Sequence, residues 1–140
     1  MKANNLKSKN GGFTLMEVMI VVAVVALIAA FAVPSYREYV KRGERADARA
    51  QMLNIANWMQ QQYTLKNKYP TGSTVPTSMQ KTPSTGSPKY NLSVATASDG
   101  LSSTITATPV TSDSKCGTDT LDSTGKKTVS SNDMSYCWNR

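Results

Sequence analysis

The residue most out of place in this chain is an acid. Glu17 follows Phe13-Thr14-Leu15-Met16 and precedes an unbroken apolar run from Val18 to Val33. An ionised carboxylate in hydrocarbon costs on the order of 2.5 to 3.5 kcal/mol, so a plain anchor gains nothing by carrying one. A cationic amine from a neighbouring chain would compensate it, because two opposite charges in a dry setting are tolerable only together. Such an amine exists beside Phe13 only if the bond between Gly12 and Phe13 is cut. Gly12 suits that cut, being small and conformationally free next to a bulky Phe.

Cys116 and Cys137 are the two cysteines, and neither stands in a CxxC or Cys/His spacing. Histidine is absent, which excludes Cys/His metal sites and a histidine base. No phosphate-cradling glycine loop and no recognisable acid pair is present, so the reading is not an enzyme, with no metal and no cofactor. A disulfide between the cysteines fits an oxidising compartment, and two free thiols fit a reducing one. Bridged, they would contribute about 3 kcal/mol by the chain-entropy argument.

The elements that must position these residues begin with the N-terminus. Residues 1–10 are polar and basic, and Gly11-Gly12 gives way to a run approaching the roughly 20 apolar residues that span a bilayer. The basic flank places the short N-terminus on the cytoplasmic side. A secretory signal cleaved near Ala29-Ala30-Phe31-Ala32 and a simple anchor are the competing readings, and Glu17 speaks against both.

The string Gly12-Phe13-Thr14-Leu15-Met16-Glu17 resembles the class III signal of type IV prepilins and type II secretion pseudopilins. The resemblance implies that a prepilin peptidase removes a leader, residues 1–12, and N-methylates Phe13. It implies that Glu17 then neutralises the N-terminal amine of an adjacent subunit during assembly. It also implies an α+β pilin fold: a long helix, residues 13–66, packed on a small antiparallel sheet, with residues 13–34 as the transmembrane and assembly segment. Residues 67–140 would form the head. Pilins carry a proline near Pro34, where the helix breaks or melts, and a C-terminal disulfide corresponding to Cys116 and Cys137.

Several of these elements are also readable from the residues themselves. Ala48, Met52, Ile55, Ala56, Met59 and Tyr63 recur on one helical face and predict a core-facing stripe. The patch Lys41, Arg42, Glu44, Arg45, Asp47 and Arg49 reads as a solvated face. Residues 69–88 hold Pro70, Gly72, Pro76, Pro83, Gly86 and Pro88 and predict a long loop without regular elements. Alternation about Ser98-Asp99-Gly100 predicts a hairpin, and a second is expected across residues 117–129, turning at Asp122-Ser123-Thr124-Gly125. Four strands follow. Cys116-Gly117-Thr118 through Gly125-Lys126, with Cys137-Trp138, resembles the C-terminal part of PilE-type minor pilins.

Composition bounds the function. The chain is 39% apolar and 7% aromatic, so the head has a thin core. Three of the 16 basic residues, Lys2, Lys7 and Lys9, precede Gly12, and without them the excess over 9 acids falls from +7 to +4. That is chiefly a solubility statement. The resemblance makes the chain a structural subunit of a type IV pilus. It would rest in the inner membrane and pass through an assembly platform into an extracellular filament for adhesion, twitching motility or DNA uptake. Its partners would be other pilin subunits. One alternative is a pseudopilin of a type II secretion system. Another is a DNA-binding minor pilin, with Lys66, Lys68, Lys81, Lys89, Lys115, Lys126 and Lys127 as a basic surface and Tyr69, Tyr90 and Trp138 stacking on bases.

Overall fold

The computed structural model describes residues 12–131 and 133–138; the leader expected at residues 1–12 lies outside this range except for Gly12. Two units are present, residues 1–39 and 40–140, and one helix, α1 (Leu15–Lys66), contributes to both.

In the first unit α1 is nearly all solvent-exposed in the single chain, from Leu15 at 81% through Phe31 at 78%. It is the one helix among the described residues long and apolar enough to cross a membrane, with a mean hydropathy of 2.8. Thr14 starts it: the Glu17 N–H donates to Thr14 Oγ1 at 3.2 Å, and the N–H groups of Glu17 and Val18 donate to the Thr14 carbonyl. A threonine three residues ahead of a glutamate is a helix-start signature, and an acid in the first turn suits the positive end of the helix dipole. Pro34, expected as a break, lies inside α1 with helix on both sides. Proline removes one backbone donor, but the flanking turns keep theirs and carry the helix across the gap.

The second unit contains the C-terminal half of α1 and a meander of five antiparallel strands in the order β1 (Lys81–Thr82), β2 (Tyr90–Thr96), β3 (Ser103–Pro109), β4 (Asp119–Asp122), β5 (Lys127–Val129). A short helix, α2 (Met134–Trp138), follows. Side chains alternate across each strand, and register places Leu92 opposite Ala107 and Ile105 opposite Leu121. These residues with Tyr90 form the inner face of the sheet, and they bury Ala48, Met52, Ile55 and Met59 of α1. The predicted helix stripe is therefore core, with Ala56 packed at its edge and Tyr63 half-buried. Asn67, at φ 54°, stops α1 in the left-handed region where asparagine is tolerated.

Both predicted hairpins are present. Residues 69–88 differ from expectation: they hold two single turns of 3-10 helix, Gly72–Thr74 and Thr77–Met79, and the edge strand β1. Buried Val75 pins this stretch to the core. Gln80 Nε2 donates to the Val75 carbonyl at 2.8 Å, and the Leu92 N–H to the Gln80 carbonyl at 2.7 Å. Gly72 passes so close to the Val94 carbonyl that any Cβ there would collide with it.

Candidate functional site

Two sets of candidate functional residues lie in the two units, one in each. At the start of α1, Phe13 and Glu17 line one shallow apolar notch of about 250 Å³ with Val18, Val21 and Val22. Residues four apart share a helix side. A Phe13 cut free of Gly12 would carry its amine at the end of the same helix face as the acid. Gly12 is exposed, and a Cβ added there would meet no described residue within 4 Å.

The head set is organised by a buried ion pair. Arg45, 2% exposed, grips Asp113 in a bidentate fork, Nε to Oδ2 at 2.6 Å and Nη2 to Oδ1 at 2.8 Å. Tyr90 Oη donates to Asp113 Oδ2 at 3.3 Å, and the N–H groups of Lys115 and Cys116 donate to Oδ1 at 3.1 and 3.4 Å. Burial pushes the Asp113 carboxyl up, but Arg45 and the two N–H groups outweigh it and hold it at about 2. For Tyr90, burial first and the Asp113 charge next raise the hydroxyl above its ordinary value.

This cluster fixes the turn that leads into the cysteines. Cys116 and Cys137 are both buried and joined by a disulfide, with Cα atoms 5.7 Å apart. The bond ties α2 to that turn. Asp133 starts α2 by accepting from the Tyr136 N–H at 2.9 Å. Around the two aromatics of α2 stand cations. Arg42, Arg45 and Lys115 lie 5.8, 5.7 and 5.4 Å from the Tyr136 ring centroid. Arg49 and Lys127 lie 6.0 and 4.9 Å from that of Trp138.

The comparisons with known proteins follow the same division. Residues 7–33 match the family model of the prokaryotic N-terminal methylation motif. Residues 34–120 match that of the type IV minor pilin ComP, DNA uptake sequence receptor. The chain belongs to the ComP family of type IV minor pilins. Fimbrial protein EcpC of Eikenella corrodens is 33% identical to this pilin over 107 residues, covering 74% of this chain and 65% of that protein. Type IV major fimbrial protein FimA of Dichelobacter nodosus is 50% identical over 42 residues, covering 30% of this chain and 26% of that protein. The matched stretch thus spans about a quarter of the Dichelobacter proteins and just under two thirds of EcpC. A type IV pilin from Shewanella oneidensis has a solved structure that matches at a TM-score of 0.54 and 26% identity, covering 71% of this chain and 99% of that one. Family and fold are those of structural pilins.

Within this pilin the residues singled out for DNA are partly dispersed. Tyr90 is not a stacking surface: at 3% exposure it belongs to the core and to Asp113. Tyr69 stacks on Tyr63 and donates to Gln60. Lys115, Lys127 and Trp138 do meet in the α2 cluster, where they are joined by Tyr136, which sequence reasoning did not single out, and by Arg42 and Arg49, which it left on a solvated face. Arg45 was missed as a core residue. The signal was available, because Arg45 stands three residues before Ala48 on the buried stripe.

Proposed function

We propose that this pilin is a structural subunit of a type IV pilus, and a minor one. Prepilin peptidase cuts after Gly12 and methylates Phe13, the apolar half of α1 holds the subunit in the inner membrane, and an assembly platform transfers it into a filament of pilin subunits. The observation that carries this reading is the exposed apolar segment of α1 interrupted by one acid, Glu17, in its first turn. Lateral packing of that segment against its like removes the apolar surface from water or lipid, and pairing of Glu17 with a neighbouring amine sets the register. The match to the N-terminal methylation motif supports the cut and the modification. The ComP-family match over the head favours a pilus over a secretion pseudopilus. The substitution Glu17→Val tests it: the variant should insert into the membrane at least as well as the parent, yet be depleted from sheared filaments. Incorporation at the parental level would overturn the pairing role.

A second reading is favoured by one observation. The family model matching residues 34–120 is described as a DNA uptake sequence receptor, and beyond the matched stretch the α2 cluster supplies aromatic rings bracketed by cations, the chemistry that holds nucleic acid. Binding of the full chain in detergent to duplex DNA should weaken steeply with salt as phosphate counterions are released. Absence of salt-sensitive binding would remove this reading and leave the structural one intact.

A further inference from the structure

One end of the head combines exposed leucines with lysines. Lys41 Nζ donates to the Ser112 carbonyl at 3.1 Å, so α1 enters the head beside the chain that has just left β3. From there β3 leads back through seven residues, Pro109 to Ser103, about 20 Å to the opposite end. At that end α1 finishes, and three segments are tied together. The Tyr69 N–H donates to the Gly100 carbonyl at 2.8 Å, and the Ser123 N–H to the Ser103 carbonyl at 2.8 Å. The side chain of Lys68 packs against Gly100, where an added Cβ would come within 3.1 Å of the lysine's own.

Leu65 and Leu101 stand on this end at 76% and 60% exposure. A groove of about 300 Å³ opens at the same end, lined by Met59, Ile105 and Leu121 together with Gln60 and Ser123. Lys66, Lys68, Lys126 and Lys127 are exposed here, and none of them is in an ion pair among the described residues. Asp99 and Asp122 lie at this end too, each held by its own turn. Asp99 Oδ1 accepts from the Leu101 N–H at 2.9 Å, and Asp122 Oδ1 from the N–H groups of Thr124 and Lys126 at 2.8 and 2.9 Å. From Ala48 to Ser98 the chain has no acid at all, so cations prevail on this surface.

We propose that this end of the head docks on the surface of an anionic phospholipid bilayer. Apolar side chains that enter the interface and lysines that meet the phosphates give stable attachment together, where either alone is marginal. A nucleic acid would use the lysines and leave Leu65 and Leu101 in water. A second copy of the chain would bring the same cations against these. An acidic lipid surface satisfies both kinds of side chain at once. The contact uses none of the apolar residues from Val18 to Val33, so it is a second membrane contact and does not draw on the anchoring segment.

Capture of one vesicle by another tests this. The full chain is reconstituted through α1 into phosphatidylcholine vesicles, and dye-labelled acceptor vesicles are added, made of phosphatidylcholine alone or of phosphatidylcholine with phosphatidylglycerol. The parent should capture the acidic acceptors and leave the neutral ones free. Lys68→Gln should weaken capture about fivefold and Leu101→Ser about tenfold, both at exposed positions where the fold has little to lose. No capture of acidic vesicles, equal capture of neutral ones, or undiminished capture by Leu101→Ser overturns the proposal. Duplex DNA supplies a further arm: if it binds parent and Leu101→Ser alike while neither captures acidic vesicles, the lysines serve nucleic acid and the lipid contact falls. No filament forms in this assay, so its failure leaves the role of the chain as a pilus subunit untouched.

Discussion

Asp113 gathers the Arg45 fork, the Tyr90 hydroxyl and two backbone N–H groups on one buried carboxylate. Deleting either member of a buried pair strands the other charge, so Asp113→Ala should cost the head about 3 to 5 kcal/mol in chemical unfolding. Acid should act through the same group. Its folded carboxyl is held at about 2, below the ordinary 3.8, so its contribution is complete above pH 4 and is lost as pH falls towards 2. Asp119 works in the opposite sense: its raised carboxyl makes the folded head less stable as pH climbs from about 4 through 6. Comparing parent and Asp113→Ala unfolding at pH 5 and pH 2.5 checks the sign, since the gap between them should narrow in acid. Sequence singles out Glu17 because a lone charge at the start of an apolar run has no bland explanation. It hid Arg45 because an arginine flanked by Lys41, Arg42 and Glu44 has an easy one. Asp113 carried no local signal of its ion pair, because Arg45 lies 68 residues earlier on α1, and Asp119 is buried without a hydrogen-bond partner among the described residues.

At the scale of elements, periodicity carried the most. Steps of three and four along α1 marked Ala48, Met52, Ile55 and Met59, and alternation with Gly100 and Gly125 at the turns marked two hairpins. The burial of that stripe makes a graded prediction. Ile55→Ala, at 0% exposure, should destabilise the head by about 2 to 5 kcal/mol. Its neighbour Leu53, half-exposed on the opposite side, should lose about 0.5 kcal/mol or less on change to Ala. Thermal denaturation of both in parallel tests whether the helix face is placed correctly. Elements too short to show a period escaped notice: β1 has two residues, α2 has five, and each 3-10 turn has three. Tertiary contacts hold them, such as the Leu92 N–H to the Gln80 carbonyl and the disulfide beneath α2. Pro34 is a strong local signal for a break, yet in the single chain α1 continues on both sides of it.

The chain carries an apolar helical segment exposed among the described residues, and a head with a thin core, a buried ion pair and a disulfide. So much uncovered apolar surface calls for lipid or other subunits, and we propose that the acid at its start selects an arrangement with an amine beside it. That claim depends on Phe13 becoming the first residue. Gly12→Ser should accordingly leave uncut precursor in the membrane fraction, visible as a longer chain on immunoblots. The most direct measurement is the intact and N-terminal peptide mass of the subunit recovered from sheared surface filaments. The account predicts a chain that begins at Phe13 and carries one added methyl group on its amine. A chain beginning at Met1, or after Ala32, would contradict it.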